Sequence, residues 1–253
     1  MSFFDWIIKL LSEYSLQFLN GTKNTLIMAL SGTLVGFTIG LVIGIIRTIP
    51  IEDNAPTSKR IFLKIVNVLL SAYVEITRGT PMLVQALIVH YGLFAKMGIP
   101  SLLSAMIIIS FNTGAYMAEI VRGGILSVDK GQFEGAHAIG MSHFQTMRHV
   151  ILPQAIKNIM PSIGNEFVVN IKDSSVLSVI AITELMFIAK QVGGTYSKFV
   201  PAYVICAVIY FVLTFSVTRI LRYLEKKLAG PNSYTVCGSQ SDSHAEIHVK
   251  GEQ

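Results

Sequence analysis

Apolar and polar positions divide this chain into long hydrophobic stretches separated by short polar segments. No charged residue occurs in the intervals 24–46, 97–118 and 199–218. At about 1.5 Å per helical residue, each interval can cross roughly 30 Å of hydrocarbon. The pattern therefore predicts three membrane-spanning helices. Two more are expected in apolar stretches that polar residues interrupt.

The first of these helices, predicted from about Thr25 to Ile46, carries a regular series of glycines. Gly32, Gly36, Gly40 and Gly44 recur every four residues, which places them near one helix face. Small residues spaced in this way let a second helix approach closely. We favour a packing role for this face, with the lining of a polar pathway as the alternative.

Residues 1–20, ahead of this helix, mix polar and apolar positions. They lack the basic start and the small-residue cleavage site of a signal peptide. We expect an amphipathic helix on the membrane surface, with Trp6 and Tyr14 in the headgroup region. An irregular start to the first span is the alternative.

The second span is expected within Ile61–Phe94, which is too long for one straight crossing. Pro81 frees backbone carbonyl groups in the preceding turn, so a bend is predicted there. We assign Ile61–Thr77 to an interfacial or entering half and Gly79–Phe94 to the spanning half.

The third span, Pro100–Ala118, carries Asn112 in its second half, followed by further small and polar residues. Side chains of this kind form hydrogen bonds between membrane helices, worth about 0.6 to 2 kcal/mol each. The alternative is that they line a pore.

The fourth span, within Ile156–Ala189, contains several ionisable residues. Each of them costs about 2.5 to 3.5 kcal/mol at the centre of a membrane on insertion scales. Lys172 and Asp173 point about 100° apart on a helix, which favours a bent or unwound segment facing a cavity. The alternative places them at a membrane interface, with the span ending early.

The last span, Phe199–Thr218, precedes a basic cluster of the kind that holds a cytoplasmic helix end. The cluster consists of Arg219, Arg222, Lys226 and Lys227. Residues 229–253 are polar and lack apolar periodicity, so a disordered tail is expected.

The longest polar interval, Gln132–Ala155, predicts a helix-turn-helix outside the membrane. Residues 132–139 form a short helix, and Gly140 relaxes the backbone at its end. Ser142 can cap a second helix, which Pro153 ends.

Composition and charge place this loop inside the cell. The chain has 52% hydrophobic and 14% charged residues, whereas about a quarter of the residues of a soluble domain are charged. With five spans, one side collects more than twice as many Lys and Arg residues as the other. The richer side, with the loop and the C-terminus, is expected to be cytoplasmic, and the N-terminus outside. The net charge of +5 thus reports topology and does not indicate a nucleic-acid partner.

The residues that enzymatic chemistry requires are largely missing. Cys206 and Cys237, the two cysteines, suggest no disulfide framework. His137, His143 and His149 are six residues apart, about 240° per step on a helix, so they do not converge on a metal. No Gly-x-x-x-x-Gly-Lys-Ser/Thr phosphate-binding loop occurs. We expect no catalytic residue, metal or cofactor in this chain, so that any ATP and Mg²⁺ would bind to a partner subunit.

A spaced motif in the polar interval carries a family resemblance: Glu134-Gly135-Ala136, then Gly140, then Val150-Ile151-Leu152-Pro153. It resembles the EAA loop of ABC importer permeases, which reads Glu-Ala-Ala, three residues, glycine, nine residues, isoleucine, one residue, Leu-Pro. Gly135 replaces an alanine, which lowers helix propensity by about 1 kcal/mol, and Val150 replaces an isoleucine. The resemblance implies that ATPase coupling uses Glu134, Gly135, Ala136, Gly140, Leu152 and Pro153.

Three further blocks, Glu75–Gln85, Asn112–Ser127 and Leu152–Leu185, are similar to the polar amino acid branch, which includes histidine, glutamine, arginine and cystine permeases. The resemblance implies an all-α membrane protein of the type I importer permease fold over residues 21–228. About five transmembrane helices and a cytoplasmic coupling helix belong to that fold. Its implied partners in the bacterial cytoplasmic membrane are a second permease subunit, identical or homologous, two ATPase subunits and an external substrate-binding protein.

For the pathway of the amino acid we nominate polar residues that lie within apolar segments and within the similar blocks: Asn112, Glu166, Asp173, Ser174 and Ser175. Acidic and hydroxyl groups could serve the two ends of the substrate. A buried hydrogen-bond network between helices is the alternative. Arg78 and Glu119 are expected to stabilise the inner membrane boundary.

An ion-coupled secondary amino acid transporter is the alternative function. Such transporters often show internal repeats, which we do not find in this sequence, and the loop motif would then be unexplained. A membrane enzyme would need a convergent set of catalytic groups.

Overall fold

Helices form all the regular structure in residues 1–51 and 56–229, the residues that the computed structural model describes. Within these ranges nine α-helices, α1 to α9, follow in chain order: Phe3–Ile46, Thr57–Gly79, Met82–Val89, Ser101–Leu126, Lys130–Ala138, His143–Thr146, Leu152–Asp173, Leu185–Thr195 and Phe199–Ala229. Two π-helical turns, His90–Phe94 and Met147–Ile151, and a 3₁₀ helix, Ser174–Ile180, lie between them. The predicted all-α architecture is confirmed.

Three helices in the described part of the chain, α1, α4 and α9, are long and apolar enough to cross a membrane. The helical run His143–Ile180 and α8, which meet at an angle of 53°, can together form a fourth crossing. The stretch assigned to the second span is divided between the amphipathic α2 and a shorter apolar helix, Met82–Phe94. The uncharged intervals thus correspond to the regular spans, and the interrupted stretches to the irregular ones.

α1 covers 44 residues in two helical segments that meet at a kink at Tyr14 (φ −116°, ψ 16°), and it begins well before the predicted first span. Leu10 and Phe18 pack in a core with residues of α8 and α9. Phe4, on another face of the same segment, is 73% exposed. Residues 3–20 therefore continue the helix of the span, because apolar contacts with α8 and α9 support them.

The glycine series of α1 faces α4. A Cβ atom at Gly40 would lie 2.3 Å from the Cβ of Met117, and one at Gly36 would lie 2.8 Å from the Cβ of Thr113. Real Cβ atoms do not approach so closely, so only glycine lets the two helices meet at this distance. The packing role predicted for these glycines is what the structure shows.

The second predicted span breaks at the expected proline. α2 ends at Gly79, Thr80 is extended, and α3 starts directly after Pro81. The side-chain amide of Gln85 donates hydrogen bonds to the carbonyl oxygens of Thr77 (2.8 Å) and Thr80 (3.1 Å). These bonds satisfy backbone acceptors near the break, which would be costly to leave unpaired in a membrane.

The predicted helix-turn-helix forms, with differences at its ends. α5 starts at Lys130, because Asp129 caps it by accepting a hydrogen bond from the N–H two residues on (2.6 Å). Gly140 has φ +82°, a left-handed conformation that glycine adopts at little cost. Ser142 caps α6 and exchanges hydrogen bonds with Gln145.

The expectation that Pro153 ends the second helix of this motif is wrong. α6 continues through the π turn Met147–Ile151, and Pro153 lies in the first turn of α7. A proline lacks one N–H and its ring crowds the preceding turn. The wider π turn gives that ring space, so the exposed loop is joined to α7 without a break in the helix.

α7 ends at Asp173, and the 3₁₀ helix after it leads to Ala181, which is left-handed (φ 57°). Lys172 and Asp173 thus lie in the last regular turn of α7, and the irregular segment predicted around them begins only after Asp173, as a 3₁₀ helix. α8 then begins after Glu184, a fully buried residue whose carboxylate accepts hydrogen bonds from two N–H groups of α8 and from the Tyr210 hydroxyl. The tail expected to be disordered lies outside the described residues from position 230 onward.

Candidate functional site

One face of α7 carries three of the polar groups inside the bundle. Glu166, Asn170 and Asp173 are spaced by four and three residues, which aligns them along the helix. Glu166 and Asn170 are buried, and Asp173 is partly buried. Two carboxylates are thus held on one side of a helix at membrane depth, where they need a partner or water.

Asn170 ties three helices together. Its side-chain oxygen accepts a hydrogen bond from the Thr113 hydroxyl of α4 (2.9 Å). Its amide nitrogen donates to the Thr33 hydroxyl of α1 (2.9 Å). This is a buried hydrogen-bond network of the kind considered as the alternative for the polar residues, and it fixes the position of α7 beside α1 and α4.

Asn112, one of the nominated pathway residues, connects α4 to the break between α2 and α3. Its amide donates to the side-chain oxygen of Gln85 (3.0 Å). Gln85 in turn donates to the Thr80 hydroxyl (2.8 Å) and to backbone oxygens at the break. Asn112 is therefore linked to the irregular backbone of the second span through the side chain of Gln85.

Arg78 lies near Glu166, one of the two carboxylates. It lies in the last turn of α2, and its guanidinium carbon is 5.3 Å from the centre of the Tyr116 ring. It lies close enough to Glu166 for an electrostatic attraction, and Asp173 is close enough for an electrostatic repulsion. Glu166 thus has an acidic neighbour, Asp173, and a basic neighbour, Arg78, which we had expected at the inner membrane boundary.

Ser174 and Ser175 differ from the other nominated residues. The Ser174 hydroxyl is buried and donates to the carbonyl oxygen of Ile171 (2.8 Å). The Ser175 hydroxyl donates to the carbonyl oxygen of Lys172 (2.7 Å). Since these protons are committed to the end of α7, each hydroxyl retains only acceptor capacity for a ligand.

The sequence pattern missed three members of this cluster: Arg78, Gln85 and Asn170. Arg78 and Gln85 flank the Gly79–Pro81 break, and their proximity to an expected bend was the available signal. Asn170 lies four residues after Glu166, which the helical period places on the same face.

Glu119 sits in a separate ionic cluster at the end of α1 and α4. It pairs with Arg47 after α1, and it accepts two hydrogen bonds from Arg122 at 2.9 and 3.2 Å. The cluster joins the ends of the two helices that pack most closely.

The loop motif is largely exposed. In the first part of the motif, Glu134 and Gly135 are exposed. Ala136 is buried, with 5% of its surface exposed. Two large apolar side chains flank the turn at Gly140: Ile139 is 78% exposed and Phe144 is 70% exposed. In a single chain such apolar side chains next to a helix end are suited to a protein partner.

The base of the loop, in contrast, is packed. Leu152 and Phe133 contact a core formed by α4, the π turn and α7, which includes Ile151 and Ala155. Pro153 is exposed beside this core. The motif therefore has a free outer part and an inner part that is fixed to the bundle.

Comparison with known proteins is consistent with these features. Residues 57–230 match the family described as "Binding-protein-dependent transport system inner membrane component". The nopaline transport system permease protein NocM of Agrobacterium fabrum is 34% identical over 253 residues, which cover 95% of this chain and 99% of the relative. The glutamine transport system permease protein GlnP of Escherichia coli K12 is 33% identical over 213 residues, covering 83% and 92%.

A solved structure shows the same fold. A chain of an amino acid ABC transporter, crystallised with histidines, is 35% identical, with a TM-score of 0.76. The match covers 90% of this chain and 99% of that one.

Proposed function

Since the chain belongs to the family of binding-protein-dependent transport system inner membrane components, we propose that it imports polar amino acids as a permease subunit. Its partners in this proposal are a second permease subunit, identical or homologous, and two ABC ATPase subunits that bind ATP and Mg²⁺. An extracytoplasmic substrate-binding protein delivers the amino acid. The chain lies in the cytoplasmic membrane of a bacterium, with its N-terminus outside and its C-terminus in the cytoplasm.

The observation that carries the proposal is the continuous helix between the exposed loop and the polar cluster. α6, the π turn and α7 run from His143 to Asp173 without a break. At about 1.5 Å per residue this rod is roughly 45 Å long. One end adjoins the motif at Gly140, and the other carries Glu166 and Asp173, so a displacement of α5 reaches the carboxylates.

The mechanism follows from this connection. The ATPase subunits bind α5 through Glu134 and the apolar side chains around Gly140, while Leu152 and Pro153 hold the base of the loop. Closure of the ATPases on ATP moves α5 and turns α7 against α4, which changes the side from which the cluster is accessible. ATP hydrolysis by the partner subunits thus supplies the free energy, and the movement of α5 and α7 transmits it to the substrate site.

The substrate site lies between α2, α4 and α7. An amino acid carries an ammonium group, which Glu166 and Asp173 attract, and a carboxylate, which the Arg78 guanidinium can bind with two parallel hydrogen bonds. Asn112 and the Ser175 oxygen are available for further polar contacts, whereas Ser174, which is fully buried, supports the end of α7. The charges of the cluster thus complement both ends of a free α-amino acid.

Uptake by proteoliposomes tests this assignment. The chain is reconstituted with its co-purifying ATPase and binding protein, and labelled glutamine, arginine and histidine are assayed separately. Glu166→Gln, Asp173→Asn and Arg78→Gln should each raise the half-saturating concentration about tenfold or more, since each removes a charge-assisted hydrogen bond. Glu13→Gln, which changes a carboxylate outside the cluster, should transport normally.

Two results would contradict the proposal at different levels. Unchanged uptake by all three cluster variants would remove these residues from the site while leaving the importer intact. Uptake driven by an ion gradient, in liposomes that contain this chain alone, would instead support the secondary transporter.

A further inference from the structure

A second charged feature lies away from the candidate pathway, in a groove between α7 and α9. The groove has a volume of about 370 Å³ and is lined by three cationic side chains, Lys172, Arg219 and Arg222. Thr214 and Thr218 add two hydroxyl groups. No acidic side chain belongs to the lining, so the groove is suited to an anion.

Within the described residues, neither arginine has a carboxylate partner. The Arg219 guanidinium lies over the Phe215 ring, 4.9 Å from its centre, which fixes its direction without neutralising it. Lys172 has an electrostatic interaction with the adjacent Asp173. Two arginines of the groove are thus exposed and able to bind an anion.

The groove is on the outside of the bundle. Lys172 points about 120° from Glu166 and about 100° from Asp173 around α7, and it is exposed. On α9 the groove continues along Phe211 and Phe215, which are 66% and 49% exposed. Apolar exposed side chains of this kind in a membrane helix face lipid.

The two arginines of the groove lie where α9 is expected to leave the membrane. Arg219 and Arg222 are the first charged residues after the uncharged interval 199–218. Phe211 and Phe215 lie within that interval, one to three helical turns deeper. The groove therefore offers two arginines at the edge of the uncharged interval, with two hydroxyls and two aromatic rings within it.

We propose that this groove binds an anionic phospholipid, with the headgroup phosphate between Arg219, Arg222 and Lys172 and one acyl chain along Phe211 and Phe215. The proposal concerns a site that the transport mechanism does not use. A bound lipid there would hold α7 and α9 together on a different face of α7 from the substrate cluster.

Native mass spectrometry of the full chain in detergent, titrated with phosphatidylglycerol, tests the proposal. Each cation near a membrane surface contributes about 1 kcal/mol to the binding of an anionic lipid. The double variant Arg219→Gln/Arg222→Gln should therefore bind phosphatidylglycerol roughly 25-fold more weakly. The matched control Lys157→Gln/Lys227→Gln, with the same change of charge at exposed positions, should bind as the original chain does.

Three outcomes would overturn the proposal. The first is equal weakening in the control, which would indicate only a general surface charge effect. The second is equal binding of phosphatidylcholine, which carries no net charge, and the third is displacement of the lipid by excess inorganic phosphate.

A second experiment uses the unaltered chain, so its result does not depend on whether the variants fold. A photoactivatable phosphatidylglycerol should label residues 211–222 of α9. If a second copy of this chain covers the groove in the assembled transporter, the label will be absent there, and the lipid assignment is wrong.

Discussion

At the scale of single residues, the closest contacts in the bundle occur where glycines of α1 meet side chains of α4. Gly40 and Gly36 each leave no space for a Cβ atom next to Met117 and Thr113. The same α4 segment supplies Thr113 to the Asn170 network. Small-residue packing and polar bonding therefore act together at one interface.

Replacing Gly40 by alanine should destabilise the protein. The added Cβ would overlap with Met117 and with the backbone nitrogen of Ala118 at 2.7 Å, and overpacking of this kind costs about 1 to 3 kcal/mol. The measurement is denaturant unfolding in detergent micelles.

Gly123→Ala is the matched control, because a Cβ there meets nothing within 4 Å. Alanine should stabilise that helical position by up to about 1 kcal/mol. Equal unfolding free energies for the two variants would show that the close approach of α1 and α4 is not required.

Single residues also show which contacts the sequence could predict and which it could not. The four-residue glycine period indicated a helix interface, because the period shows that the small residues lie on one face of the helix. Arg78 was expected at the membrane boundary, because its neighbours in sequence do not reveal that α7 brings Glu166 near it. Contacts between distant segments depend on packing, which a single-sequence pattern does not contain.

At the scale of elements, the turn at Gly140 separates an exposed helix from one that enters the bundle. α5 contacts the core through Phe133 and also buries Ala136, whereas α6 continues into α7. The angle between the two helices is set by the left-handed backbone of a single residue.

Gly140→Ala should weaken the attachment of the ATPase subunit. A residue with a Cβ costs about 1 to 2 kcal/mol in the left-handed conformation, so the turn opens and α5 loses its direction. The expected result is reduced co-purification of the ATPase with a chain whose helix content is unchanged by circular dichroism.

Gly135→Ala makes the same chemical change five residues earlier. A Cβ at Gly135 meets nothing within 4 Å, and alanine is the residue of the family pattern at that place. ATPase co-purification should be retained or increased. A loss equal to that of Gly140→Ala would argue against a specific requirement for the left-handed turn.

The same elements explain the errors made from sequence. Apolar patterns predicted α4 and α9 well, since an uncharged interval defines a regular span. Pro153 was expected to end a helix, because sequence rules treat proline as a terminator and do not register that a π turn can accommodate it. A helix was also expected over residues 1–20, but its contact with α8 and α9 through Leu10 and Phe18 joins distant segments, which the local pattern does not reveal.

At the scale of the whole molecule, one chain leaves several surfaces unmatched. α2 has exposed apolar residues along most of its length, with Val74 as its one buried residue. The loop with Ile139 and Phe144 is exposed at one end of the bundle. Lipid, a second permease subunit and an ATPase account for these surfaces in the proposed complex.

The central claim is that α5 receives force from a separate ATP-hydrolysing subunit. It is tested by placing the photo-crosslinking residue p-benzoylphenylalanine at Glu134 in living cells and, as a control, at Ser197, in the connection between α8 and α9. The account predicts that the Glu134 position crosslinks to a protein that 8-azido-ATP labels, and that the Ser197 position does not. A crosslink to that ATPase from Ser197, with none from Glu134, would contradict it.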